Sequence, residues 1–184
     1  MRSKMRETPG RGAICWVVTG AGHFLRESVK LMASFKNVDV FLTRAAAEVA
    51  PRYGVIEAIE KSSRTVAGEE GYSSAPIIRF SGGAYSALVI APATANTVAK
   101  CVLGIADSLA SNFFAQAEKS GVPIFVLPTD VERHVESVTP SGRVIRISPR
   151  PVDLRNTDAL SGFPGVAVAR SAKELGALMH QFSG

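Results

Sequence analysis

Apolar residues enter this chain in two rhythms. Short, largely apolar runs, ICWVVT at Ile14–Thr19, VDVFLT at Val38–Thr43, ALVIAP at Ala87–Pro92 and VPIFVLP at Val122–Pro128, predict strands, and ALVIAP, apolar throughout, predicts one buried on both faces as in a parallel sheet. Between them the spacing turns helical: Leu25, Val29 and Met32 share one face, RAAAEVA runs on until Pro51 and Gly54 interrupt it, and a short helix VIEAIEKS follows. Helices are also predicted from about Thr94 to Leu103 and from about Asp107 to Ser120, with Asp107 as the cap of the second. PIIRF reads as a further short strand, and Ser62–Pro76, polar and glycine-bearing, as the longest irregular connection. RVIRIS and GVAVAR add strands near the end, with a helix around VDLRNTDAL between them. A last helix opens on a capping box, Ser171 with Glu174, and carries Leu175, Leu178, Met179 and Phe182 as its apolar stripe. Strands alternating with helices predict an α/β fold, a three-layer sandwich around a mostly parallel, Rossmann-like sheet.

Length fits one core, and no repeat or linker divides the 184 residues, so residues 13–184 are expected to form a single domain. Residues 1–12, MRSKMRETPGRG, hold +3 of the net charge of +5 and read as a basic, flexible tail. The body lacks a Lys/Arg stripe with interleaved aromatics, which argues against nucleic acid. Its apolar runs are too short for a membrane span, and no secretory h-region follows the tail, so a cytoplasmic protein is expected. Cys15 and Cys101 fit two buried thiols better than a disulfide, and no Cys/His spacing suggests a metal.

Ligands of an open parallel sheet lie beyond the carboxyl ends of its strands, among free N–H groups of helix N-termini. The first such end, TGAGHFL, has Gly20 and Gly22 of a dinucleotide fingerprint but Leu25 at its third glycine position. The second ends on Leu42-Thr43-Arg44, without the acidic residue that takes a ribose; Arg44 leaves room for a 2′-phosphate. The third opens into PATANT. Thr19, Thr43, Thr94, Asn96 and Thr97 thus converge with backbone donors and no Walker lysine. Neutral donors of this kind suit a phosphate monoester and a polar ring edge, and FMN is the mononucleotide that fits best, its ring lying on Pro92 and Ala93. Each Thr or Asn can equally cap its own helix.

The stretch APATANTVAKCVLGIADSL, Ala91–Leu109, resembles the signature of the flavoprotein superfamily of homo-oligomeric flavin-containing cysteine decarboxylases, close to A-P-A-[TS]-A-N-T-x-A-K-x-x-x-G-I-A-D-x-L. TGAGH and LTRAA precede it in the expected order, and the resemblance covers about Ala13–Arg150. It implies a flavodoxin-like flavoprotein fold and FMN near the subunit interface of a homo-oligomer. It places Thr19, Gly20, Ala21, Gly22 and His23 beside the phosphate and ribityl chain, Thr43 and Arg44 as further contacts, and Ala93, Thr94, Asn96 and Thr97 against the cofactor from the central loop.

The decarboxylases carry a Pro-x-Met-Asn-x-x-Met clasp, where this chain reads Pro128-Thr129-Asp130-Val131-Glu132. Their histidine before the central strand has no counterpart in SSAPIIRFSGG. The first loop, the PTD segment and the tail RISPRPVDLRNTDALSGFPGVAVA instead resemble archaeal-type flavoproteins related to dihydromethanopterin reductase. That resemblance implies an FMN-dependent reductase of dihydromethanopterin or a related dihydropterin; the sequence does not name its electron donor, a reduced carrier protein or NAD(P)H. His23 and Asp130 are the candidate catalytic residues, His23 for proton delivery and Asp130 for gripping the pterin amino group together with Glu132. A cysteine-decarboxylase-like lyase, a flavin prenyltransferase and a non-catalytic electron carrier are the alternatives. His134 and His180 read as surface residues.

Overall fold

A computed structural model describes residues 12–69 and 75–183; the expected basic tail lies outside them except for Gly12. The chain opens with β1 (Ala13–Val18), α1 (Leu25–Met32), β2 (Val38–Leu42) and α2 (Arg44–Val49), then a 3₁₀ turn (Ala50–Tyr53) that Gly54 ends at φ 68°. Next come α3 (Ile56–Ser62), β3 (Thr65–Gly68), α4 (Ala75–Ser81), β4 (Tyr85–Ala93), α5 (Ala95–Val102) and α6 (Leu109–Lys119). The last part holds β5 (Ile124–Pro128), β6 (Val135–Val138), β7 (Val144–Ile147), α7 (Pro151–Leu160), β8 (Val166–Val168) and α8 (Ala172–Ser183).

Six strands pair in parallel in the order β3-β2-β1-β4-β5-β8, while β6 and β7 form a separate antiparallel hairpin. The expected three-layer sandwich follows from alternation along the buried strands. Trp16 and Val18 of β1 join a core with Leu25, Val29 and Met32 of α1, Ile59 of α3 and Leu175 and Met179 of α8. Cys15 and Val17 face the opposite core, with Phe80 of α4, Val98 of α5, Phe113 of α6 and Leu160 of α7. The chain leaves β1 toward β2 on one side and reaches β4 on the other. That change of direction opens a crevice beyond the carboxyl ends of β1 and β4.

Three expectations are corrected. Pro76–Phe80 belongs to helix α4 rather than a strand, its Phe80 buried against Phe113 at a ring-centroid distance of 5.6 Å. The supposed irregular connection Ser62–Pro76 contains the edge strand β3, held by a fully buried Asp39 of β2. Asp39 accepts from Arg64 Nε and from the Thr65 hydroxyl, both at 2.8 Å, and pairs with Arg79. Asp107 does not cap α6; it pairs with Lys100 at 2.7 Å, and Ser108 takes the cap by accepting from Ser111 N. The hairpin strand β6 had no counterpart in the sequence pattern reading.

Both cysteines are buried and free, as expected. Burial pushes the Cys101 thiol up to about 12 and raises that of Cys15, so neither supplies a thiolate at neutral pH. Among the described residues no helix is long and apolar enough to cross a membrane.

Candidate functional site

Thr19 ties the two central strand ends together. Its hydroxyl donates to the Pro92 carbonyl at 2.7 Å and accepts from Thr94 N at 3.0 Å, and its side chain is buried. Thr94 in turn caps α5 by accepting from Thr97 N, with 3.0 Å between the two threonine hydroxyls. Thr43 caps α2 by accepting from Ala46 N at 3.2 Å. These hydroxyls therefore serve the helix ends and line the crevice at once, a combination of the two roles their residue types allow. Asn96 is exposed at the rim and caps nothing.

The glycines have an internal explanation. A Cβ on Gly20 would collide with Ala45 of α2, and one on Gly22 with the Tyr53 hydroxyl. The loop is thereby pressed against α2 and the 3₁₀ turn, and it divides the crevice in two.

The larger cavity, about 470 Å³, is lined by Thr19, Gly20, Thr43, Arg44, Thr94, Asn96 and Thr97, joined by Ala45, Glu48, Glu69 and Ser108. Seven of the residues expected to hold a cofactor thus come together. Ala21, Gly22 and His23, further along the same loop, line a second cavity of about 230 Å³, with Thr129 and Asp130 from the end of β5 and Val135 and Ile147 from the hairpin. Ala93 is fully buried; its carbonyl accepts from Thr129 N at 3.0 Å and so holds the β5 end in place. A third hollow, about 360 Å³, opens on the other side of His23 toward Arg26, Tyr53 and Glu136.

Glu69 and Ser108 were missed from the sequence. Glu69 follows directly on β3, and its carboxylate accepts from Arg44 N at 2.8 Å and from Leu109 N at 3.1 Å. The short β-prone run Thr65-Val66-Ala67-Gly68 was the signal for a fourth strand end, and the Ser-x-x-Ser spacing at Ser108 and Ser111 the signal for a cap.

The donor set of the larger cavity is backbone N–H groups, hydroxyls and one amide, with the mostly exposed Arg44 as its cation. Two of those N–H groups already carry a carboxylate. A set of this kind takes a phosphate ester and a hydroxyl-rich chain, and its size is that of a ligand pocket. The smaller cavity brings a histidine and a carboxylate to one wall. His23 is half-buried and its rings lie 3.8 Å from those of Phe24, centroid to centroid. Burial lowers its pKa, against the charges of Glu27 and Asp130, which pull it up. The Asp130 carboxylate accepts from the Thr129 hydroxyl at 2.7 Å, and its carbonyl from Thr157 at 2.9 Å. Phe24 stands at φ 63°, a left-handed conformation costly for a bulky residue, directly after His23. His134 and His180 are exposed, His180 stacking on Phe35.

A family model described as Flavoprotein matches residues 1–174. A dihydromethanopterin reductase (acceptor) of Methanosarcina mazei is 40% identical over 140 residues, covering 69% of this chain and 59% of that protein, so the match spans about three fifths of the relative. An uncharacterized protein of Methanocaldococcus jannaschii is 33% identical over 170 residues, covering 88% and 91%. The crystal structure of Burkholderia xenovorans DmrB in complex with FMN, described as a cubic protein cage for redox transfer, superposes with a TM-score of 0.83 at 37% identity, covering 92% of this chain and 94% of that one.

Proposed function

This chain belongs to the Flavoprotein family, and from that premise we propose that it is an FMN-dependent oxidoreductase that reduces dihydromethanopterin or a related dihydropterin. The observation that carries the reading is the split crevice: a cavity of neutral phosphate-type donors on one side of the glycine loop, and on the other a smaller one that joins His23 to Asp130. The relative named dihydromethanopterin reductase and the FMN complex of DmrB support the substrate class and the cofactor.

In this reading the larger cavity holds FMN, with Thr43, Thr94, Asn96, Thr97 and the backbone around Gly20 and Arg44 as its polar contacts. When bound, the flavin supplies hydride transfer. The chain's own work is positional. Asp130 offers a carboxylate to the amino group and ring N–H of a pterin, which would align the flat heterocycle against the cavity wall. His23, at the same cavity, supplies the proton that accompanies hydride. Val135 and Ile147 of the hairpin give that cavity an apolar side. The electron donor, a reduced carrier protein or NAD(P)H, and a homo-oligomer with the cofactor near the subunit interface complete the proposal.

A decarboxylase reading finds less support, because Thr129 and Asp130 stand where the Met-Asn clasp would be. The test is to offer phosphopantothenoylcysteine to the protein with oxidised flavin and, in parallel and without oxygen, a dihydropterin to the protein whose flavin has been chemically reduced. Electron transfer to the dihydropterin without release of carbon dioxide is expected; release of carbon dioxide with no dihydropterin reduction overturns the proposal.

A further inference from the structure

We infer that the Glu69 carboxylate is a built-in competitor of the cofactor's phosphate, an inference that rests on the larger cavity being the FMN site. Its two oxygens bridge backbone N–H groups from opposite layers of the sandwich, Arg44 N at 2.8 Å and Leu109 N at 3.1 Å. Two oxygens of one anion spanning two main-chain donors is also how a phosphate ester would sit there.

The contact is not needed to end either helix. Thr43 already caps α2 and Ser108 already caps α6. The carboxylate instead takes the first N–H of each helix, the donors that those hydroxyl caps leave over. It does so inside a cavity lined by the other expected phosphate donors, Thr94 and Thr97 among them.

A phosphate dianion and a carboxylate cannot share these donors, because like charges a few ångströms apart disfavour one another. Glu48 adds a second negative charge to the lining, and the Arg44 guanidinium, 77% exposed, lies 4.0 Å from it. Loading is therefore an exchange of one anion for another. Glu69 keeps the donors satisfied in the unloaded protein and lowers the affinity for a phosphorylated ligand, while a ligand without phosphate does not have to displace it.

The experiment compares FMN with riboflavin, which lacks the phosphate. Dissociation constants are measured by flavin fluorescence on flavin-free full-length protein, for wild type, Glu69→Ala and the size-conserving Glu69→Gln, with circular dichroism confirming that each is folded. Both variants are expected to bind FMN at least about fivefold tighter than wild type, the scale of two anion contacts at helix starts, with riboflavin changed less than about twofold. An unchanged or weakened FMN affinity, or an equal shift for both flavins, overturns the role of Glu69 and leaves the cavity assignment standing. Wild type binding neither flavin overturns both.

Discussion

Asn96 is the cleanest single probe of the proposed cofactor cavity, since it is exposed at the rim and its loss leaves every helix cap in place. Asn96→Leu removes an amide at nearly constant volume and should weaken FMN binding about fivefold, the worth of one hydrogen bond, with thermal stability unchanged. Thr94→Val differs in kind, because Thr94 also caps α5. It should cost about 1 kcal/mol of stability in addition to cofactor affinity. Flavin titration and thermal melts on the two variants separate the effects, and equal destabilisation by both would contradict the assignment. His23 makes a prediction in pH. Burial lowers its folded-state pKa, so below the unfolded value of about 6.5 the unfolded chain binds a proton that the native state refuses, and stability falls with pH. Urea melts at about pH 7.5 and 5.5 should show a larger loss for wild type than for His23→Asn. Equal losses would show that His23 is not held in its buried setting.

Elements were legible where a run of apolar residues had only one use. The four central strands and the helices that follow them could be read directly, because strands covered on both faces are mostly apolar, with Asp39 of β2 the one charge among them. Pro76–Phe80 was not, since a run as short as Pro-Ile-Ile-Arg-Phe fits a strand and a helical turn equally; in the fold it is helical, with Phe80 packed on Phe113. The edge strand β3 was easy to pass over because its run, Thr65-Val66-Ala67-Gly68, is short and Val66 is its one large apolar side chain. Glu69 was invisible for the same reason: a strand end cannot be read when its strand is not. The hairpin was half-seen, since Glu136 and Ser137 break the apolar pattern of β6. What anchors the β2–β3 edge is a buried charge. Burial alone would raise the Asp39 carboxyl, but hydrogen bonds from Arg64 and Thr65 and the charges of Arg64 and Arg79 outweigh it and hold it below its ordinary value. That stability is present above about pH 4 and lost as pH falls through the lower folded value. Asp39→Asn should cost about 3 kcal/mol in a denaturant melt, the scale of a broken buried pair. Because Asp39 lies near the start of β2, away from the carboxyl ends that line the crevice, FMN affinity in the folded variant should be unchanged; a parallel loss of cofactor would contradict this separation.

On the scale of the whole molecule, the proposed reaction needs the two cavities to act across one thin loop. A cofactor held near an interface between copies should be lost when the copies separate. On serial dilution, flavin release and the fall in molecular mass should therefore coincide, and a monomer that keeps FMN tightly would contradict the shared pocket. The central claim is tested most directly by an anaerobic single-turnover measurement. The flavin-loaded protein is reduced chemically, mixed with dihydromethanopterin, and followed by the return of oxidised flavin absorbance. Reoxidation far faster than in buffer, with tetrahydromethanopterin formed in equal amount to the flavin oxidised, is the predicted result. Reoxidation no faster than in buffer would contradict it.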